Sequence, residues 1–408
     1  MLFARLARKV IQTGRLTIID AHGHRHVAGG PGGPAATVRL HDKALHYRLA
    51  LNPYLYLGEA YMDGTLTIEQ GSLYDFLSIC AINVDRAFEQ PLKRTLSAAA
   101  KVLRHLHQHN PARLARAHVA HHYDLSDRLY DLFLDSDRQY SCGYFSHGHH
   151  DIERAQRDKK RHLAAKLRLA PGQRVLDIGS GWGGLALHLA EVGGGEVLGI
   201  TLSQEQLKAS RLRAERAGMA DRVRFELCDY RELTGSFDRI VSVGMFEHVG
   251  VKHYGEFFAK LRELLTEDGV AVLHSIGRMD GPGDTNDWIR KYIFPGGYAP
   301  ALSEVLPVPE RMRLWVTDIE VLRLHYAETL RCWYERFRTN RVEIARLYDE
   351  RFCRMWEFYL VGSELAFRSM GHMVFQMQLA KRQDAVPLTR DYLTDWEREH
   401  LDAAMAAD

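Results

Sequence analysis

Residues 174–193 read RVLDIGSGWGGLALHLAEVG. The strand-like run VLDI contains Asp177, and Gly179, Gly181, Gly183 and Gly184 then carry the chain into a segment of helical apolar spacing. Glycine permits positive φ and close backbone approach, and a helix N-terminus presents unpaired N–H groups, so this turn suits the polar part of a nucleotide-like ligand. Outward from it, EVLGITLS, RVRFELCD, FDRIVSVG and GVAVLHSIG alternate with QEQLKASRLRAERAG and HYGEFFAKLRELL. Apolar strands alternating with amphipathic helices predict an α/β domain, a Rossmann-like, mostly parallel sheet covered on both faces.

Two ligand classes use such a turn. A dinucleotide site expects an acid at the end of the second strand to hold a ribose hydroxyl. Here EVLGIT ends at Thr201. Asp177 before the glycines and Asp229-Tyr230 after VRFEL instead suit S-adenosylmethionine, with its amino-acid end near the glycines and its adenine near the third strand.

The flanks read differently. GRLTIID and ATVRLHD are strand-like and separated by the loop AGGPGGP; MDGTLTIE is a turn leading into a strand. These predict a small α+β domain over 1–82. Residues 86–118 hold seven bases (Arg86, Lys93, Arg94, Lys101, Arg104, Arg113, Arg116) against Glu89. That stretch is +6 within a chain of net +2, leaving −4 elsewhere. Its Leu and Val recur at roughly helical intervals, so 83–118 is expected to be a basic amphipathic linker and 119–408 the catalytic domain. Aromatic-rich helices between 311 and 382 are expected as additions to that domain.

Composition excludes several classes. With 46% apolar and 26% charged residues the chain is globular rather than disordered or collagenous. Five scattered cysteines without a CxxC pair predict reduced thiols in a cytosolic protein. Arg5 and Arg8 interrupt the apolar N-terminus, which therefore lacks a signal-peptide core, and no run approaches a membrane span. Nine histidines lie between 105 and 150, in polar runs without convergent spacing, so no metal is assigned. No base-reading module accompanies the basic stretch, which argues against a nucleic-acid partner.

The strings DIGSGWGGLALHLA, GITLSQEQ, CDYREL, FDRIVSVGMFEHVG, HSIG and HHYDLSDRLYDLFLDSDRQYSCGYF together resemble the cyclopropane-fatty-acyl-phospholipid synthase family, including its shorter mycolic-acid members. The resemblance covers about 118–382, and 1–82 resembles the lipid-associated domain of full-length members. It implies transfer of a methylene from S-adenosylmethionine across a cis double bond of an unsaturated phospholipid, through a carbocation deprotonated by bound bicarbonate. The implied bicarbonate pocket maps onto Cys142, Glu247, His274, the backbone of Ile276, and Tyr326. The implied cofactor residues are Tyr140, Ser141, Asp177, Gly179, Gly181, Thr201, Gln206, Asp229 and Tyr230.

Tyr140, Tyr144, Phe145, Phe246, Tyr292 and Phe294 are expected to line an apolar tunnel and stabilise the cation through their ring faces. Each residue has a plainer alternative: Cys142 a small core residue, Glu247 a helix cap, Tyr326 and His274 core packing. Trp333, Trp356 and Tyr359 are expected as packing. A related enzyme leaving a methyl branch or an alkene, and a non-catalytic lipid-binding protein, are the alternatives. The resemblance also implies a homodimer in the cytoplasm, peripheral to the inner face of the cytoplasmic membrane, where the +6 stretch meets anionic lipid.

Overall fold

The alternation of strand and helix becomes a seven-stranded sheet in a computed structural model that describes residues 2–84, 125–193 and 195–405. Its strands are β5 (Arg174–Ile178), β6 (Glu196–Thr201), β7 (Val223–Leu227), β8 (Phe237–Val243), β9 (Leu265–Arg278), β10 (Trp315–Val321) and β11 (His372–Ala380). The order is β10-β11-β9-β8-β5-β6-β7, with β9, β8, β5, β6 and β7 parallel and β10 antiparallel to β11. Both faces are buried, which is why the strands read as continuous apolar runs. Leu176, Ile240 and Leu273 join one core, with Phe246, Phe257 and Phe258. Their strand neighbours Val175, Val241 and Val272 join the opposite core, with Leu163, Leu185 and Leu189. The order reverses between β5 and β8, and such a switch point opens a crevice at the carboxyl ends of the strands.

The N-terminal strands form a separate sheet: β1 (Arg15–Ile19), β2 (Arg25–Gly29), β3 (Ala35–Leu40) and β4 (Leu66–Gln70), ordered β2-β1-β3-β4. The strand β2, RHVAG, was not expected. A histidine and a terminal glycine mask it, yet its pairing with β1 is regular across five residue pairs. Helix ends follow local chemistry. Asn52 accepts from the Leu55 N–H ahead of Pro53, and Ser72 with Asp75 forms a reciprocal capping box before Leu73–Ile82.

The chain divides into two compact units that do not follow sequence order. One contains the N-terminal segment with 284–295 and 330–372; the other contains the described residues from 125 to 283, with 296–329 and those from 373 onward. The aromatic-rich helices expected as additions to the α/β domain therefore split, and the whole of Glu350–Ser369 belongs to the unit of the N-terminal sheet. The physical reason lies in specific partners within that first unit. Glu357 accepts hydrogen bonds from Tyr61 at 2.9 Å and Tyr334 at 3.1 Å, while Val361 and Leu365 enter the core of β1, β3 and β4. Trp288, fully buried, packs onto Gly58, where an added Cβ would sit 2.4 Å from the indole nitrogen.

The basic stretch 86–118, and the histidines from 105 to 122, lie outside the described residues. Among the described residues no helix is long and apolar enough to cross a membrane, and no group of three or more His, Cys, Asp or Glu side chains could hold a metal ion. All five cysteines are free thiols.

Candidate active site

The glycine turn after β5 forms one wall of a cavity at the switch point. Gly179 and Gly183 both have φ of +85°, and a Cβ on Gly183 would meet the Phe225 ring at 2.7 Å. Only glycine fits there, so the backbone itself shapes the wall. Gly181, Asp177 and Ser180 complete this side. Thr201 and Gln206 line the cavity from the end of β6, and Asp229 with Tyr230 from the segment after β7. Tyr140 and Ser141 reach it from the YSCGYF segment. All nine residues expected to hold S-adenosylmethionine thus face one cavity.

Their hydrogen bonds sharpen their roles. Thr201 donates its hydroxyl to Gln206 Oε1 at 2.9 Å and accepts from the Ser203 N–H at 3.1 Å. Thr201 therefore spends its only donor on orienting the Gln206 amide. Both oxygens of Asp229, buried, take a bidentate grip from Arg231 at 2.9 and 2.7 Å. Asp177 is buried and its Oδ2 has no hydrogen-bond partner; burial pushes its carboxyl up to about 7, against the pull of Lys159. A buried acceptor facing a cavity fits a cationic donor, such as an amino-acid ammonium group.

None of the five residues expected to surround bicarbonate lines this cavity. After β8, Glu247 turns back so that its Oε1 accepts from the Ile276 N–H at 2.7 Å, at the carboxyl end of β9. Glu247 Oε2 is buried without a partner, and burial pushes the carboxyl up to about 7. The Ile276 N–H, expected to face an anion, is thus engaged by Glu247. His274, on the same strand, is buried and held well below the usual imidazole range by desolvation. In its present orientation the Gln376 amide donates to His274 Nδ1 at 3.2 Å, which leaves the proton on Nε2.

Cys142 and Tyr326 lie on two segments that are joined by a hydrogen bond. Cys142 is buried and burial holds its thiol protonated, far above the ordinary range. The next residue, Gly143, donates its N–H to Thr329 Oγ1 at 2.9 Å, on the helix that carries Tyr326 three residues earlier.

The expected tunnel aromatics disperse. Phe246 is a core residue, stacked on Tyr254 at 4.3 Å. Tyr292 donates to Glu59 at 2.8 Å and Phe294 meets Tyr359 edge-on, both within the N-terminal unit. Tyr144 lies between His162 and His325, stacked on each at 4.2 and 4.9 Å, and the Phe145 N–H donates to His325 Nδ1. Trp333, Trp356 and Tyr359 are buried. Arg138, Gln139, Trp182 and His248, none of them expected at the site, also line the cavity, and Gln156 and Lys159 support it. The available signal was position in the motifs: Arg138 and Gln139 precede YSCGYF, Trp182 lies in the glycine turn and His248 follows Glu247.

A glycine-turned cavity at the switch point of a parallel sheet, with a buried acid at its strand end and no acid after β6, defines a Rossmann-like S-adenosylmethionine-dependent methyltransferase. The mycolic acid cyclopropane synthetase family model matches residues 110–377, and the chain belongs to that family. It is 37% identical over 350 residues to the cyclopropane-fatty-acyl-phospholipid synthase of Escherichia coli, covering 86% of this chain and 89% of that one. It is 35% identical over 390 residues to the tuberculostearic acid methyltransferase UfaA1 of Mycobacterium tuberculosis, covering 92% and 90%. Among solved structures, the mycolic acid cyclopropane synthase CmaA1, complexed with SAH and CTAB, superimposes with a TM-score of 0.62 at 31% identity, covering 67% of this chain and 99% of that one.

Proposed function

We propose that this enzyme converts a cis double bond of an unsaturated phospholipid acyl chain into a cyclopropane ring. The observation that carries the reading is Glu247, a buried carboxylate pinned to the Ile276 N–H with one oxygen open. Kinship to the Escherichia coli synthase over most of both chains supports the substrate class. S-adenosylmethionine supplies an electrophilic methyl group to the cavity. Asp177 would hold its amino-acid end through the unpartnered Oδ2, Gln206 would take the ribose side and Asp229 with Tyr230 the adenine.

Alkylating a double bond leaves a carbocation on the acyl chain, and closing the ring requires loss of a proton. A carbocation is so acidic that position and exclusion of water matter more than base strength. Bicarbonate held by Cys142, Glu247, His274, Ile276 and Tyr326 would supply that base. Glu247 Oε2 is an acceptor and would take a hydroxyl hydrogen, and His274 Nε2–H is a donor, whereas the Cys142 thiol donates to the Gly143 carbonyl oxygen and would have to turn to reach the anion. The Ile276 N–H contributes indirectly, by fixing Glu247.

The test is incubation with S-adenosylmethionine and mixed phospholipid vesicles, followed by mass spectrometry and NMR of the acyl chains. A saturated ring carrying an added CH2 is expected. A methyl branch would favour the second reading, for which the 35% identity to a tuberculostearic acid methyltransferase speaks; unchanged chains would remove both.

Membrane contact belongs to the same proposal. A lipid in a bilayer must be met at the surface, and each Lys or Arg near an anionic surface contributes on the order of 1 kcal/mol. Residues 86–118 supply +6, and the 1–82 module adds the exposed Arg5, Arg8 and Lys9. The enzyme would act as a homodimer at the cytoplasmic face of the membrane. Replacing Arg94, Lys101 and Arg104 with Glu should abolish the salt-sensitive sedimentation with anionic vesicles; unchanged sedimentation would exclude that segment.

A further inference from the structure

The helix Ile152–Leu167, IERAQRDKKRHLAAKL, is charged on nearly every turn, yet Gln156, Asp158, Lys159, Lys160, His162 and Lys166 are buried. Most of these charges are paired. Lys160 meets Asp137 at 2.6 Å, Lys166 meets Glu320 at 2.6 Å, and His162 meets both Glu320 and Glu397. Lys159 differs. It is fully buried and its ammonium donates to Gln139 Oε1 at 2.6 Å and Ser141 Oγ at 2.8 Å. Among the described residues no carboxylate oxygen lies within 4.0 Å of it. Burial lowers it to about 8, which still leaves it largely protonated at neutral pH.

Two consequences follow from this chemistry. An ammonium group can only donate, so Ser141 Oγ accepts from Lys159 and its own hydrogen must point elsewhere. Ser141 lines the cofactor cavity, so that hydrogen is available to a ligand there. A buried cation that no carboxylate contacts directly also makes its surroundings receptive to an anion, since Asp135, Asp137 and Asp177 act on it only from a distance. The same cavity contains Asp177 with its unpartnered acceptor oxygen. It therefore offers one acceptor carboxylate and one donor hydroxyl backed by a buried positive charge, the complement of a zwitterion. Neighbouring Gln156 keeps the donor in place, its amide bonding the carbonyl oxygens of Gln139 at 3.2 Å and Ser141 at 2.9 Å.

We infer that Lys159 is a positioning residue for the cofactor, aiming the Ser141 hydroxyl at the carboxylate of S-adenosylmethionine and supplying that carboxylate's buried counter-charge. The inference rests on assigning S-adenosylmethionine to this cavity.

Calorimetric titration tests it without turnover, using the full chain, S-adenosylhomocysteine and the analogue of that compound lacking the carboxylate. Lys159→Met should weaken S-adenosylhomocysteine about 10- to 100-fold, as expected for a buried charge-assisted contact. The decarboxylated analogue should change by less than about threefold, because the group that Lys159 serves is missing. Lys159→Gln, which keeps a polar group in the space, should show the same selectivity and serves if the methionine variant does not fold. In a Ser141→Ala background either change should add little further loss. Equal weakening of both ligands would reduce Lys159 to a structural role, and unchanged affinity for both would overturn the inference. Failure of the unaltered protein to bind S-adenosylhomocysteine would instead withdraw the cofactor assignment beneath it.

Discussion

The cavity at the switch point has two walls made in opposite ways. The glycine turn after β5 is shaped by backbone: positive φ, no side chain, and a close approach to Phe225 that any Cβ would block. The wall behind Ser141, and the Glu247 site after β8, are built from buried polar side chains whose value depends on partners distant in sequence. The first kind of wall tolerates no added atom, whereas the second tolerates no lost charge or hydrogen bond. Shape is set locally; charge is set by assembly.

That contrast can be broken at four points. The largest effect is expected for Glu247→Gln, which should leave S-adenosylhomocysteine binding within about threefold while turnover falls roughly a thousandfold, a range typical for positioned acid–base groups. Near-normal turnover in the vesicle assay would remove Glu247 from the chemistry. Next, Gly183→Ala forces a side chain into a left-handed backbone position against Phe225. It should cost about 3 kcal/mol and raise the S-adenosylhomocysteine dissociation constant by roughly a hundredfold. A binding isotherm and thermal melt like those of the parent would show that the wall yields.

The third point is pH. Glu247 is raised from 4.5 to about 7 by burial, so between those values the folded protein holds a proton that the unfolded chain has released. Stability contributed by this group is therefore full below about pH 4.5 and lost as pH rises towards 7, a difference of roughly 3 kcal/mol. Denaturant melts at pH 5 and 7 should show a smaller decline in Glu247→Gln than in the parent; identical declines would mean that the carboxylate is not desolvated. Fourth, Gln156→Leu leaves the Gln139 and Ser141 carbonyl oxygens without their amide partner. A loss of about 2 kcal/mol is expected, with weakened cofactor binding; unchanged stability would mean that water replaces the amide.

How far the sequence could be read follows the same division. The strands alternating with amphipathic helices and the glycines after Asp177 are local signals. They predicted the α/β sheet and a glycine turn after one of its strands, which the structure contains. The strand β2 went unread because RHVAG lacks apolar alternation, and its pairing with β1 supplies what the residues do not. Phe246 was expected in a tunnel because of its neighbours in sequence, but a stack on Tyr254 takes it into the core. The helices of 330–372 were expected beside the α/β sheet. Tyr61 and Tyr334 converging on Glu357 associate them with the N-terminal strands, and no periodicity encodes that choice.

What the sequence determined by itself was the alternating strands and helices of the α/β sheet and the glycine turn, since apolar period and glycine conformation act over a few residues. It also identified the family, through its motifs. Only the tertiary structure decided which charges lie inside. IERAQRDKKRHLAAKL has the composition of a solvated helix, and its burial becomes affordable only because Asp137, Ser141 and Glu320, brought in from other segments, receive Lys160, Lys159 and Lys166. A polar side chain's cost depends on its surroundings, and the fold supplies those surroundings.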